Sequence, residues 1–441
     1  MSRRPLRVAV VGAGWAGLAA AVRAVEASHA VTLFEMAGQL GGRARGVDVA
    51  GLPLDNGQHI LIGAYTRTLA LMQTVGADAD TLLCRLPLVL RYPDGRGLRA
   101  PPGAAVPAFV RAVAGCIGWT WRDRVALLMA ATGWALRGFR CDPALTVAAL
   151  CKGLPPAVRQ LLIDPLCVAA LNTPASDASA AVLLRVLRDA LFSGRGSADL
   201  MLSRRPLSDL LPAPAGRWLA QAGAVVSLGA GVGRVGRVEA LGLPGAPQPG
   251  WAVDGQPFDT VVLACSAAEA ARLTADAAPA WSARAAALRY EPIVTVYLRC
   301  PGARLVEPMM ALVDGPEAPA QFAFDHGALG ATPGIFAFVI SGARRWVDAG
   351  LEATAAATLH QATRDFPHGT WPQPPELLRV MAEKRATFRC TPGLDRPPAA
   401  IAPGLWAAGD FVAGPYPATL EGAVRSGEQA VAALGRRPIS G

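Results

Sequence analysis

Lysine, paired cysteines and uninterrupted apolar segments are all scarce in this 441-residue sequence. Only Lys152 and Lys384 are lysines, and the eight cysteines include no Cys-x-x-Cys pair. We therefore expect buried, reduced cysteines, and we exclude a disulfide framework or a zinc site of that kind. The longest segment without a charged residue, between Asp325 and Arg344, is broken by glycines and a proline. It predicts a loop and a buried strand, not a membrane-spanning helix.

An excess of apolar residues is the main compositional feature. They make up 52% of the chain, charged residues make up 17%, and the mean hydropathy is +0.32. These values exclude a disordered chain and predict a large buried core. The net charge of +9 comes almost entirely from arginine, and we do not take it as a sign of nucleic-acid binding. Arg3 and Arg4 precede an apolar stretch that imitates a secretion signal, but the glycine pattern in that stretch favours a cytoplasmic protein.

The N-terminal segment has the spacing of a dinucleotide-binding fold. Residues 7–11 predict a buried strand, a helix follows to about Ala27, and a second strand ends at Glu35. Glycines between the first strand and the helix would permit a tight turn, close approach of a pyrophosphate and helix–strand packing. The carboxylate of Glu35 would accept hydrogen bonds from the adenosine ribose. The turn and the start of the helix consist of Gly12, Ala13, Gly14, Trp15, Ala16 and Gly17.

The segment that follows Glu35 distinguishes FAD from NAD. It contains Gly41, Gly42 and Arg43, and it resembles the second glycine motif of the flavin amine oxidase and carotenoid desaturase superfamily. In that superfamily the motif runs beside the FAD pyrophosphate. Adjacent glycines let the backbone come close to the pyrophosphate, and the arginine compensates the negative charge of the phosphates. FAD is therefore the expected cofactor.

Three later segments resemble the remaining cofactor motifs of the superfamily. Residues 223–232 resemble the strand whose valine, here Val232, meets adenine, and residues 258–265 resemble the strand that closes the nucleotide domain. A short strand ends in Gly409 and Asp410, and the matching aspartate binds the ribityl chain or a nearby phosphate. The last helix then directs its N-terminus at the flavin pyrimidine edge. Its matching residues are Thr419, Glu421, Gly422 and Ala423.

Because these motifs lie at both ends of the chain and in its middle, the cofactor domain must be discontinuous. The expected fold class is α/β: a discontinuous Rossmann-like FAD-binding domain with an inserted α+β substrate domain, similar to amine oxidases and phytoene desaturases. We predict the FAD-binding domain at 1–85, 200–275 and 390–441. The substrate-binding domain is predicted at 86–199 and 276–389.

Residues 104–138 predict two helices with two possible roles. Apolar residues recur at helical spacing, and Thr120 with Asp123 has the pattern of a capping box that starts the second helix. Tryptophans interleaved with arginines are typical of helices at a membrane interface. An ordinary core hairpin with solvated arginines explains the pattern equally well, so both interpretations stay open.

Residues 55–66, DNGQHILIGAYT, resemble a characteristic segment of the hydroxysqualene dehydroxylase family, the squalene-associated FAD-dependent desaturases of bacterial hopanoid synthesis. Segments 383–393 and 414–423 are similar to that family too. The resemblance implies that reduced FAD removes the hydroxyl of hydroxysqualene and gives squalene, oxidised FAD and water. It also implies peripheral contact with the inner face of the cytoplasmic membrane, where the substrate dissolves. The electron donor to the flavin is left open.

This reaction needs a proton donor beside the departing hydroxyl. His59 is the first candidate and Tyr416 the second, although His59 would also serve as a structural histidine of the cofactor loop. Lys384 would hold a water or a charge near flavin N5, as lysines do in related oxidases. A surface or ion-paired lysine is the alternative for Lys384.

Two other functions stay open. One is desaturation of a polyprenoid such as phytoene, with the same cofactor working in the oxidising direction. The other is a non-catalytic, flavin-bearing isoprenoid carrier. Amine oxidation is disfavoured, because the paired aromatic residues that such enzymes place before the flavin are not evident in the sequence.

Overall fold

The computed structural model describes residues 4–238 and 250–434. Three parts of the predicted FAD-binding domain lie outside the described residues: 1–3, 239–249 and 435–441. The strands are β1 (Arg7–Val11), β2 (Ala30–Glu35), β3 (Gly46–Val49), β4 (Leu52–Asp55), β5 (Ile60–Ile62), β6 (Leu83–Leu86), β7 (Val89–Arg91), β8 (Gly97–Arg99), β9 (Leu200–Ser203), β10 (Val225–Leu228), β11 (Val235–Val238), β12 (Gly250–Val253), β13 (Gln256–Phe258), β14 (Thr260–Leu263), β15 (Tyr290–Arg299), β16 (Met309–Ala311), β17 (Phe322–Asp325), β18 (Ile335–Ile340), β19 (Glu376–Phe388), β20 (Ala400–Ala402) and β21 (Leu405–Ala407).

The helices alternate with these strands, and a π-helical turn at Arg159–Ile163 precedes α8. They are α1 (Trp15–Glu26), α2 (Thr66–Thr74), α3 (Ala79–Leu82), α4 (Ala105–Ala114), α5 (Trp121–Leu136), α6 (Val147–Leu150), α7 (Pro156–Val158), α8 (Asp164–Leu171), α9 (Ala180–Phe192), α10 (Leu207–Leu210), α11 (Pro212–Gln221), α12 (Ala267–Thr274), α13 (Pro279–Ala286), α14 (Arg344–Ala349), α15 (Leu351–Asp365) and α16 (Leu420–Ala433).

A six-stranded sheet in the order β10-β2-β1-β14-β21-β20 forms the nucleotide-binding core. All neighbours are parallel except β20, which runs antiparallel to β21. Its central strands are short, β-branched and buried, as expected for a sheet covered on both faces. The chain crosses from β2 on one side of β1 to β14 on the other, so the carboxyl ends of β1, β2 and β14 border the position where such sheets bind ligands.

The strands of this sheet come from three separate parts of the chain, 7–35, 225–263 and 400–407. The last helix, α16, packs on α1, and a Cβ at Gly427 would collide with the carbonyl oxygen of Ala16. The end of the chain is thereby built into the first βαβ unit. The domain boundaries given above remain a prediction.

A five-stranded antiparallel sheet in the order β16-β17-β18-β15-β19 forms the second layer. One of its faces packs against α14 and α15, where Val294 and Val296 join a buried cluster with Ala362. The opposite face is also apolar and belongs to the main core, to which it contributes Phe322, Phe324, Ala337, Val339 and Tyr297. The uncharged segment between Asp325 and Arg344 contains β18, which is buried along its whole length as the sequence predicts.

The predicted helices at 104–138 are α4 and α5. The capping box of α5 is present, because Asp123 N donates to Thr120 Oγ1 and the Asp123 carboxylate accepts from the Thr120 backbone. Within the described residues, none of the helices has the length and apolar content needed to cross a bilayer.

Candidate functional site

The turn between β1 and α1 requires its glycines. Gly12 has φ +101°, and a Cβ there would lie 2.7 Å from the carbonyl oxygen of Ala264 at the end of β14. A Cβ at Gly17 would collide with the Gly12 carbonyl oxygen. A Cβ at Gly14 would meet only the Gly42 Cα, at 3.9 Å, so the space before the N-terminus of α1 is open. These conformations match the roles of tight turn, helix packing and phosphate approach.

The second glycine motif lies directly against the first. Gly41 N donates to the Ala13 carbonyl oxygen at 2.9 Å, and a Cβ at Gly42 would lie 3.1 Å from the Gly14 Cα. The indole Nε1 of Trp15 donates to the Ala44 carbonyl oxygen at 3.0 Å, which joins α1 to the end of the second motif. Both motifs therefore form one cradle of bare backbone, and a dinucleotide pyrophosphate fits its open side.

Glu35 lies at the carboxyl end of β2, beside this cradle. Its buried carboxylate accepts hydrogen bonds from Ala13 N at 2.7 Å and Ala37 N at 2.8 Å. Each oxygen retains a further acceptor position, which suits ribose hydroxyls. Ala230 N donates to the Glu35 carbonyl oxygen, and the loop continues to the buried Val232. The structure thus brings Val232 to the edge where the adenosine would lie.

The arginine and aspartate of two distant motifs form an ion pair. Arg43 Nη2 lies 2.7 Å from Asp410 Oδ1, and Arg43 Nη1 donates to the Ala386 carbonyl oxygen at 2.6 Å. Ala386 belongs to a bulge of β19, where residues 384–386 face only Pro292 of β15. Proline has no N–H with which to continue the ladder. The exposed Lys384 lies on this bulge, directly before Arg385 and Ala386, whose carbonyl oxygens accept hydrogen bonds from Arg43.

The loop that follows Asp410 is held by an arginine for which the sequence gives no local signal. The guanidinium of Arg396 donates to the carbonyl oxygens of Asp410 at 2.7 Å and of Tyr416 at 2.7 Å, among others. Gly409 N donates to Ser426 Oγ at 2.7 Å, which ties the end of β21 to α16. Sequence reasoning missed Arg396, because it lies in a loop and its hydrogen bonds go to backbone carbonyl groups.

The N-terminus of α16 is capped by Thr419, whose Oγ1 accepts from Gly422 N at 3.1 Å. The side chain of its neighbour Glu421 is engaged elsewhere in the protein. The buried Glu421 carboxylate accepts from the N–H groups of Arg67 at 3.1 Å and Thr68 at 2.8 Å, and from the Arg425 guanidinium. It thus caps α2, and contact with a cofactor is left to the backbone of Glu421, Gly422 and Ala423.

The two candidate proton donors have different surroundings. The half-buried His59 donates from Nδ1 to the Gly57 carbonyl oxygen at 2.7 Å, and burial lowers its pKa. The Tyr416 hydroxyl accepts from Arg185 Nη2 at 3.1 Å, and the ring lies between the guanidinium groups of Arg185 and Arg425. Burial, together with Asp189, raises the pKa of Tyr416. At neutral pH the His59 ring is therefore mostly neutral, with Nε2 left as an acceptor.

The loop that carries His59 rests on the second face of the five-stranded sheet. The Tyr297 hydroxyl donates to the Asp55 carbonyl oxygen at 3.0 Å, and burial raises the pKa of the Asp55 carboxyl to about 7. A Cβ at Gly57 would lie 3.8 Å from Thr295 Oγ1 and 3.9 Å from His59 Cε1. The Thr295 hydroxyl and the His59 ring therefore border one point.

Thr295 is the residue of this region that sequence reasoning missed. It is 1% exposed, and its Oγ1 has no hydrogen-bond partner among residues 4–238 and 250–434. Gln58 Oε1, in the loop that faces Thr295, is also buried without a hydrogen-bond partner in the described part of the chain. A buried hydroxyl without a partner is costly, which makes Thr295 a candidate for a hydrogen bond to a bound molecule. No local pattern distinguishes this threonine from others in strands.

Comparison with known proteins finds a family and relatives that match nearly the whole chain. The family described as flavin containing amine oxidoreductase matches residues 15–435. Hydroxysqualene dehydroxylase from Rhodopseudomonas palustris is 30% identical over 456 positions, covering 97% of this chain and 99% of the relative. The protein of the same name from Sinorhizobium fredii is 28% identical over 444 positions, covering 97% of each chain.

A solved structure agrees on the fold. An oxidoreductase from Methanosarcina mazei superposes with a TM-score of 0.68 at 16% identity, covering 97% of this chain and 100% of that one. At that identity the likeness concerns the fold alone. The expected fold class, an amine oxidase-like α/β fold, is confirmed.

Proposed function

The chain belongs to the flavin containing amine oxidoreductase family, among the relatives of hydroxysqualene dehydroxylase, and it is an FAD-dependent oxidoreductase; from this premise we propose that it removes the hydroxyl of hydroxysqualene to give squalene. The observation that carries the proposal is the unpartnered Thr295 hydroxyl on a sheet face that is mostly apolar. An isoprenoid alcohol combines the same two properties, one hydroxyl in a long hydrocarbon.

The residues that hold the cofactor follow from the cradle. The bare backbone at Gly14 and Gly42 would hold the pyrophosphate, Glu35 would accept hydrogen bonds from the ribose, and the Arg43–Asp410 pair would lie beside the central part of the FAD. The N-terminus of α16 offers free N–H groups and a positive dipole end. Reduced FAD supplies the hydride that replaces the hydroxyl.

The protein's own contribution is to orient the alcohol, exclude water and supply a proton. Phe322, Phe324 and Val339 belong to the apolar face that carries Thr295, and we expect the hydrocarbon of the substrate to lie against this face and to exclude water there. The Thr295 hydroxyl bonds the substrate hydroxyl and fixes its position. His59 borders the same point, and its protonated ring would donate the proton with which the hydroxyl leaves as water. Tyr416 is the second candidate donor.

Lys384 keeps the role given to it above. It is exposed on the β19 bulge beside Arg43 and Asp410, where an ammonium group would hold a water or a charge close to the flavin. We further propose that the protein works in the cytoplasm, as a peripheral protein on the inner face of the membrane that dissolves its substrate.

The test is incubation of the FAD-loaded protein, chemically reduced, with hydroxysqualene, with squalene as the readout. Formation of squalene supports the proposal, and its absence under reducing conditions overturns it. Desaturated products from phytoene would replace it with the desaturase function. Tight isoprenoid binding without turnover of either substrate would replace it with the carrier function.

A further inference from the structure

The outer surface of α4 and α5 is apolar although it faces solvent. Half of the exposed large apolar side chains in the described part of the chain lie within residues 106–136. The most exposed are Leu136 at 84%, Met129 at 70% and Trp121 at 67%. We call this set the α4–α5 surface, and it consists of Val106, Val110, Ile117, Trp121, Val125, Met129 and Leu136.

This surface is additional to the face with which the two helices join the core. Ala108, Ala112 and Val113 of α4 are buried, as are Leu127 and Trp134 of α5. Trp119, between the helices, is buried too and donates to the Ala157 carbonyl oxygen at 3.3 Å. Trp119 and Trp134 are therefore part of the core, and of the three tryptophans in this segment only Trp121 is exposed.

The exposed residues of α5 form a continuous stripe. At 100° per residue, Trp121, Val125, Met129 and Leu136 fall within about 80° around the helix axis. On α4, Val106 and Val110 are one turn apart, and Ile117 lies between the helices. A single row of this kind is the geometry of a helix that lies flat in an interface, not of one that spans it.

Within residues 104–140, the exposed and unpaired charges all have one sign. Arg111, Arg122, Arg137 and Arg140 are exposed, and none forms an ion pair within the described ranges. The one acidic residue between 104 and 140 is Asp123, whose carboxylate is engaged in the capping box. The surface is therefore an apolar stripe with a positive border.

We infer that the α4–α5 surface is the site at which this protein docks on an anionic phospholipid bilayer. The apolar side chains enter the boundary between headgroups and acyl chains, and the arginines contact the lipid phosphates. The positive border selects this occupant over a second copy of the chain, because two copies of the same arginines would repel each other. The inference deepens the membrane contact proposed above and stands independently of the reaction.

Vesicle sedimentation of the full-length, FAD-loaded protein tests the inference. We expect binding to phosphatidylcholine vesicles that contain phosphatidylglycerol, weaker binding to pure phosphatidylcholine, and loss of the difference at high salt. Met129→Ser combined with Leu136→Ser should lower the partition coefficient about a hundredfold, because burial of each side chain accounts for about tenfold. Arg122→Ser with Arg137→Ser should lower binding to anionic vesicles about tenfold or more.

Matched controls come from elsewhere on the surface. Val306→Ser removes an apolar side chain that is 82% exposed outside the α4–α5 surface, and Arg217→Ser removes an exposed arginine of α11. Both should bind as the wild type does. Equal loss of binding in a control and a surface variant would overturn the inference. The inference would also be overturned if the wild type formed a dimer that the Met129 and Leu136 changes dissociate. The α4–α5 surface would then bind a second copy of the chain.

Turnover of detergent-dispersed substrate separates this inference from the proposed function. The docking variants should keep the wild-type rate when the substrate is presented in detergent and lose it only when vesicles carry the substrate. Failure of the wild type to make squalene in detergent would count against the reaction and leave the docking surface unaffected.

Discussion

Replacing Thr295 by valine exchanges a buried hydroxyl for a methyl group of similar shape. If the hydroxyl bonds the substrate alcohol, Thr295→Val should weaken binding of hydroxysqualene about two- to tenfold and leave binding of squalene unchanged. Thr295→Ser, which keeps the hydroxyl, should retain the preference for the alcohol. Equilibrium binding of both ligands to the oxidised holoprotein measures this. A valine variant that still prefers the alcohol as strongly as the wild type would contradict the role of Thr295.

His59 has the most informative pH dependence among the candidate residues. Burial lowers its pKa below the ordinary 6.5, with the charge of Arg43 acting in the same direction. Since only the protonated ring can donate, kcat should rise as the pH falls from about 8 to about 5. His59→Ala should keep FAD and lose roughly 10²–10⁴ in rate. If kcat of the wild type does not rise as the pH falls, or if His59→Ala keeps the wild-type rate, His59 has a structural role and Tyr416 is the donor.

Glu35 permits a direct test of the cofactor position. Glu35→Ala should weaken FAD retention by about 1.5–3 kcal/mol, because a charged acceptor for the ribose hydroxyls is lost. Flavin absorbance after gel filtration measures it. Glu307→Ala is the control, since its partly buried carboxylate pairs with Arg99 of β8. Flavin content equal to that of the wild type would argue against the assignment of Glu35.

At the scale of the element, Glu421 connects two helices that are far apart in sequence. Its carboxylate caps α2, so Glu421→Gln should lower the free energy of unfolding by about 1–3 kcal/mol, because the amide places an N–H₂ group or a weaker acceptor at the helix N-terminus. Urea unfolding measures the change. Glu269→Gln breaks an exposed pair with Arg272 and should change stability by less than about 0.5 kcal/mol. If Glu421→Gln loses flavin but keeps the free energy of unfolding of the wild type, the Glu421 side chain takes part in cofactor binding.

Elements whose signals are local are predictable from this sequence. The β1 turn, its glycines and the capping box of α5 each depend on residues a few positions apart, and the structure contains all of them. The environments of Thr295 and Glu421 depend on segments more than two hundred residues away. Their residue types are common in strands and helices, so only the tertiary structure distinguishes them.

In the whole molecule, the Arg43–Asp410 pair joins the second glycine motif to the end of the chain, and Arg43 also holds the β19 bulge of the second sheet. Three segments that are distant in sequence thus meet where the cofactor is expected. The pair is only half-buried, so by itself it contributes little to stability. Its larger effect should come through the cofactor, because a ligand that binds across the three segments stabilises all of them together.

A ligand that binds only the folded protein raises the free energy of unfolding by about 2.7 kcal/mol at a concentration of 100 times its Kd. Asp410→Asn leaves Arg43 without its ion-pair partner where the flavin is expected, and a tenfold weaker Kd would remove about 1.3 kcal/mol of that stabilisation at the same FAD concentration. We therefore expect FAD to raise the Tm of Asp410→Asn less than that of the wild type, as measured by thermal unfolding with and without FAD. The control Arg284→Met breaks the exposed pair with Asp395 and should keep the full FAD-dependent shift. An equal shift in Asp410→Asn would mean that the ion pair connects the segments without taking part in cofactor binding.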